Sequence, residues 1–97
     1  MAKGYWMTAY REINDPEKLK AYAALAAEAV KAHGGRFLVR GGNMEAKEFA
    51  VAERTVLVEF DSFEKARATY ASDAYQEALK VLDGAVVRDL RIVEGVD

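Results

Sequence analysis

The stretch Arg54-Thr55-Val56-Leu57-Val58-Glu59-Phe60-Asp61-Ser62 decides the fold. On an extended backbone Val56, Val58 and Phe60 project to one side, and Thr55, Leu57 and Glu59 to the other. One face is wholly apolar and the second half-apolar, so such a strand needs cover on both sides. Asp61 or Ser62 then offers a side-chain oxygen to cap a following helix. The stretch is therefore predicted to be the central strand of a small α+β sheet, running straight into a helix.

Downstream, Ser62-Phe63-Glu64-Lys65 opens that helix, with Phe63, Ala66 and Tyr70 as its inner stripe. Ala71-Ser72-Asp73 interrupts it, and Ser72 can cap a continuation through Tyr75, Leu79 and Leu82 that closes at Asp83-Gly84. A last strand over about 86–94 places Val86, Arg88, Leu90, Ile92 and Glu94 on one side, and Val87, Asp89, Arg91 and Val93 on the other. Its charge load points to a sheet edge.

Upstream, Arg36-Phe37-Leu38-Val39-Arg40 is a short strand, with Phe37 and Val39 on one side and Arg36, Leu38 and Arg40 on the other. Gly41-Gly42-Asn43 breaks it, and residues 44–53 are expected to form a loop able to act as a flap. Before it lies a helix announced by Asp15-Pro16-Glu17: a capping carboxylate, a proline in the first turn and an acid at the positive end of the dipole. It is predicted to reach about His33, stop at Gly34, and bury Leu19, Tyr22, Ala23, Ala26, Val30 and His33. A first strand over about 4–12 carries Tyr5, Met7 and Ala9 on one face and Trp6, Thr8 and Tyr10 on the other.

The resulting order, βαββαβ, specifies an α+β ferredoxin-like fold with a four-stranded antiparallel sheet. Two helices cover only one face of that sheet, yet the first and third strands are apolar on both. A second copy of the chain, stacked sheet to sheet as a dimeric α/β barrel, is the expected cover.

The 97 residues suit one domain, 1–97, with a modest core. A net charge of −2 with scattered basic residues argues against nucleic acid and against a basic membrane anchor. The absence of cysteine excludes disulfides and thiolate chemistry. With a single histidine as well, no metal and no cofactor is expected. Without a secretory leader or a long apolar run, the expected location is cytoplasmic. An RNA-recognition module shares this topology, but the outward positions of the third strand hold Thr55, Leu57 and Glu59 rather than stacking aromatics.

Several local motifs add up to a resemblance: Gly4-Tyr5-Trp6, Asp15-Pro16-Glu17, His33-Gly34-Gly35-Arg36-Phe37-Leu38, Arg54-x-Val56-x-x-Glu59-Phe60, Ser72-x-x-Tyr75-Gln76 and Arg91-Ile92-Val93-Glu94-Gly95. In this order they resemble the small bacterial proteins grouped as domain of unknown function family 1330. The resemblance implies a ferredoxin-like fold in the dimeric α/β-barrel superfamily, and no activity. That superfamily includes cofactor-independent monooxygenases of aromatic polyketides, muconolactone isomerases and chlorite dismutase-like haem proteins. The chain departs from a frequent family pattern at Leu82, where an arginine often stands, so a site built on that arginine is not carried over.

Candidate site residues follow from chemistry. His33 is a general base near neutral pH or, at a helix end, a cap for free carbonyls. Glu59 in mid-strand needs a partner, and Arg36 and Arg40 are on the neighbouring strand; the pairing is either an anion- or proton-handling site or a salt bridge that fixes register. Trp6, Tyr10, Tyr70 and Tyr75 either wall a cavity for a planar ligand or fill the core. Tyr75 with Ser72 also fits a helix-junction lock. Two functional readings result. In one, a homodimer binds a small aromatic or anionic molecule in a sheet-lined cavity and acts as a monooxygenase- or isomerase-like enzyme. There His33 and Glu59 are the catalytic candidates, and Trp6, Tyr10, Arg36, Arg40 and Tyr75 the ligand contacts. In the other it is a non-catalytic dimeric module with a filled interior.

Overall fold

A computed structural model describes residues 2–97. The elements run β1 (Gly4–Ile13), α1 (Pro16–Ala32), β2 (Arg36–Arg40), β3 (Thr55–Phe60), α2 (Phe63–Ala71), α3 (Asp73–Leu82) and β4 (Val86–Glu94). The strands form one antiparallel sheet in the order β2-β3-β1-β4. This is the ferredoxin-like arrangement, with β3 and β1 inside and the charged β4 at an edge. Among the described residues no helix is long and apolar enough to cross a membrane.

The helix signals act as the sequence indicates. Asp15 accepts from Lys18 N at 3.1 Å with Pro16 in the first turn, and Gly34 takes the left-handed turn at φ +80. Ser62 accepts from Lys65 N at 3.0 Å. Ser72 ends α2 and starts α3, accepting from Tyr75 N at 3.3 Å. The interruption at Ser72 splits the second helical region into two helices that both pack on the sheet. On α2 the buried positions are Ala66 and Thr69, whereas Phe63 and Tyr70 remain partly exposed. Thr69 is buried because its hydroxyl returns to Lys65 O at 2.7 Å and leaves no free polar group.

All helices lie on one face of the sheet. Trp6, Tyr10, Val58 and Phe60 point into the layer between and meet Tyr22, Ala26, Val30, Tyr75 and Leu82. The Trp6 ring stacks at 4.7 Å from Tyr75 and 5.1 Å from Phe60, and its Nε1–H donates to Ala66 O at 2.9 Å. Each such fully buried side chain contributes about 1.5–3 kcal/mol of apolar burial.

Two irregularities change which way side chains face. Between β2 and β3 the pairing runs Arg36↔Glu59, Phe37↔Val58, then Val39↔Leu57 and Arg40↔Val56, so Leu38 is an extra residue. The expected grouping of Arg36, Leu38 and Arg40 on one side is therefore incorrect. Phe37 and Arg40 face the helices, while Arg36 and Val39 face the open side. A second irregularity at Arg11 lies between Tyr10↔Arg88 and Glu12↔Val87.

Candidate functional site

The helix-facing side of the sheet carries its charges at one end. Tyr10 and Arg88 are paired across β1 and β4; Arg54 directly precedes β3, and Arg40 ends β2 opposite Val56. All four residues, with Trp6, Thr8, Tyr22 and Phe37, line a cleft between the sheet and α1. Its free volume is ≈ 40 Å³, room for about three water molecules at ~10–15 Å³ each. The alanine-rich inner face of α1, Ala23 and Ala26, lets helix and sheet approach this closely.

Arg88 is the centre of the cleft. Its Nη1 donates to the hydroxyl oxygens of Tyr10 at 3.0 Å and Tyr22 at 3.1 Å, and its Nη2 to that of Tyr75 at 3.1 Å. Its Cζ also lies 5.0 Å from the Tyr22 ring centre and 5.5 Å from that of Tyr10. Burial works against the charge of Arg88, but the phenol oxygens around it outweigh burial, and the guanidinium stays protonated. Burial in turn pushes the Tyr10 and Tyr75 hydroxyls above the ordinary phenol range, so both remain neutral donors. Arg40 stacks 4.6 Å from the Phe37 ring centre. Among the described residues no carboxylate comes within 4.0 Å of the guanidinium nitrogens of Arg40, Arg54 or Arg88, although the backbone N–H of Arg54 donates to Glu53 Oε1 at 3.1 Å.

The predicted site residues do not converge. Arg36 and Glu59 meet on the open face of the sheet: Arg36 Nε donates to Glu59 Oε1 at 3.1 Å, and Tyr5 donates its hydroxyl to Oε2 at 3.0 Å. Arg36 also holds Asp61 at 3.2 Å. The Tyr5 hydrogen bond first, and then Arg36, hold the Glu59 carboxyl below the usual carboxylate range. Arg40 is no partner of Glu59, because the extra residue at Leu38 turns it to the helix side. Trp6 and Tyr10 face the helices too, so they line the cleft within one chain rather than a space between two sheets. Tyr75 is fully buried behind the cleft, bonded to the Tyr22 hydroxyl at 2.6 Å and to Arg88. His33 is the C-cap of α1, with Nδ1 2.8 Å from Ala29 O, and lines no part of the cleft.

Arg88, Arg54, Tyr22 and Thr8 escape the sequence-based candidates. For Arg88 a signal exists: it is the one cation on a strand face otherwise written Val86, Leu90, Ile92 and, at its end, Glu94. A charge placed among inward apolar residues needs partners, and three tyrosines supply them.

The open face of the sheet is different in kind. Met7, Val39 and Val93 expose 51%, 40% and 39% of their surface there, beside Leu57. They form a shallow apolar floor bounded by Asp89 and Arg91.

Similarity to known proteins agrees with this architecture. The family model described as Domain of unknown function (DUF1330) matches residues 3–96. No curated protein matches in sequence. A protein of unknown function from Rhodopseudomonas palustris superposes with a TM-score of 0.73 at 16% identity, covering 99% of this chain and 84% of that one. A Caulobacter crescentus CB15 protein proposed to be an antibiotic biosynthesis monooxygenase gives 0.60 at 18%, covering 99% and 91%. A dimeric ferredoxin-like protein of unknown function from Thermobifida fusca gives 0.60 at 14%, covering 98% and 92%. At these identities the similarity speaks for the fold.

Proposed function

This chain belongs to the DUF1330 family, and we propose that it binds a small planar anion in the cleft between its sheet and α1. One observation carries the reading: three guanidinium groups, Arg40, Arg54 and Arg88, line an aromatic cleft, and among the described residues none of them pairs with a carboxylate. Guanidinium groups without a carboxylate partner have donors to offer an anion in charge-assisted hydrogen bonds. The walls of Trp6, Tyr10, Tyr22 and Phe37 favour a flat ligand body. The free volume accepts the charged end of such a ligand, and the side chain of Arg40, exposed at the mouth, swings to admit the remainder.

The cleft supplies cations and hydroxyl donors, and among the described residues its lining holds no carboxylate or imidazole. That favours binding and stabilising an anion over abstracting a proton, and so supports the isomerase-like reading less than the binding one. The oxygenase activity proposed for the Caulobacter protein belongs to that protein, and a shared fold carries no chemistry by itself.

The test is a thermal-shift titration with benzoate, with benzylammonium as the opposite-charge control. Benzoate at ten times its Kd is expected to add about 1.4 kcal/mol of stability, and benzylammonium none. Arg54→Gln and Arg40→Gln are each expected to weaken benzoate about tenfold, whereas Glu59→Gln, on the other face, keeps the shift. Equal shifts with both probes, or no response to either arginine variant, defeat the reading.

A homodimer through the open face is part of the same proposal. The exposed Met7, Val39 and Val93 support it, as does the dimeric state of the Thermobifida relative.

A further inference from the structure

The cleft is lined by three guanidinium groups and by three hydroxyls, those of Thr8, Tyr10 and Tyr22. Tyr10 accepts from Arg88 through its oxygen, and among the described residues nothing accepts its proton. Tyr22 and Tyr75 lie 2.6 Å apart, so one hydroxyl donates to the other and one proton of that pair is used. Thr8, next but one along β1 and on the same side, makes no side-chain hydrogen bond among the described residues. Tyr10 is 3% exposed and Thr8 5% exposed, and both line the cleft. The Tyr10 phenol already accepts from a cation, which polarises its O–H and makes it a stronger donor. A buried phenol donor beside a guanidinium, with a second hydroxyl on the same strand face, forms the arrangement that holds an oxygen bearing partial or full negative charge.

We propose that the cleft is selective for 2-oxo acids with a flat side group, the carboxylate taken by Arg40 and Arg54 and the adjacent carbonyl or enolate oxygen by the Tyr10 and Thr8 hydroxyls. This rests on the anion-binding reading above and adds the second oxygen. The hydroxyls share the lining of the cleft with Arg40 and Arg54, and the second oxygen is accordingly assigned to the carbon next to the carboxylate. A ligand with only a carboxylate leaves the Tyr10 proton without an acceptor, which is where a site built around an acceptor discriminates most strongly. Tyr10 is thus the specificity-determining residue, with Thr8 as its companion.

The experiment compares phenylpyruvate with 3-phenylpropionate, which differ only in the carbonyl oxygen, by calorimetric titration of the full chain. Phenylpyruvate is expected to bind at least tenfold more tightly. Tyr10→Phe should remove that advantage and leave the affinity for 3-phenylpropionate within twofold, and Thr8→Val should reduce the advantage by a smaller factor. Melting curves of both variants establish that they are folded, and binding of 3-phenylpropionate reports an intact cleft. If the two acids bind equally to the parent, or Tyr10→Phe weakens both alike, the second-oxygen proposal is overturned while the anion site stands. If neither acid binds, the anion site falls and the proposal with it.

Discussion

Among single residues, Arg88 shows how one side chain defines a site. Removing the three tyrosine acceptors would leave a half-buried charge unpaired; removing the arginine would leave three buried phenols facing one another. The sequence could flag its odd placement among Val86, Leu90 and Ile92, but not the identity of its partners. Tyr10, Tyr22 and Tyr75 come from three elements, and only the folded packing brings their oxygens to one point. Glu59 is the opposite case. Its need for a cation was legible, and Arg36 answers it, but on the open face and with Tyr5 as the stronger hold. Because the folded carboxyl lies below its unfolded range near ~4.3, the unfolded chain takes up the proton first as pH falls. The stabilisation is complete above that range and is lost on acidification through the folded pKa. The melting temperature of Glu59→Gln should therefore fall below the parent's at neutral pH, with the gap closing below about pH 4. A gap that stays constant across that range would mean the ion pair contributes nothing through its charge.

Among elements, caps and stops were read correctly because each depends on neighbours in the chain: Asp15 before Pro16, Gly34 after His33, Ser62 and Ser72 before their helices. His33 as a cap follows the same logic, its ring returning to a carbonyl one turn back. What failed was phase. Alternation assigns Arg36 and Arg40 to one side of β2, and a single extra residue at Leu38 separates them. A bulge leaves no mark in the apolar pattern of so short a strand, so Arg40 was assigned to Glu59 when it belongs with Phe37. The turn into β2 is tightly packed. A Cβ added at Gly35 would stand 2.6 Å from Val30 Cγ1 and 2.7 Å from Phe60 Cε1, both fully buried. Gly35→Ala is expected to cost about 1–3 kcal/mol and lower the melting temperature by roughly 5–20 °C; an unchanged melting curve would show that β2 shifts freely.

For the whole molecule, counting covers led to the correct layering: all helices on one face, apolar side chains left on the other. The sequence reading puts Trp6 and Tyr10 between two sheets and leaves open which face of β1 the helices take; in the structure both residues face the helices. Trp6, large and with an N–H that reaches Ala66 O, goes under the helices and takes Tyr10 with it, leaving Met7 outside. The open face is expected to bury itself against a second copy, and Leu57→Arg, in the middle of that face, should yield a monomer by sedimentation while the far-ultraviolet dichroism stays unchanged. A parent that sediments as a 10.7 kDa particle at every concentration would rule the pairing out.

The position of the cleft, on the side of the sheet away from that apolar floor, has a further consequence. Two chains joined back to back would carry their clefts on opposite outer flanks, each completed by its own chain. Occupancy of one need not alter its twin, so saturation of the pair should be hyperbolic, with a Hill coefficient of about one. Assembly and ligand uptake would then be independent, and a variant that cannot pair should still fill its cleft.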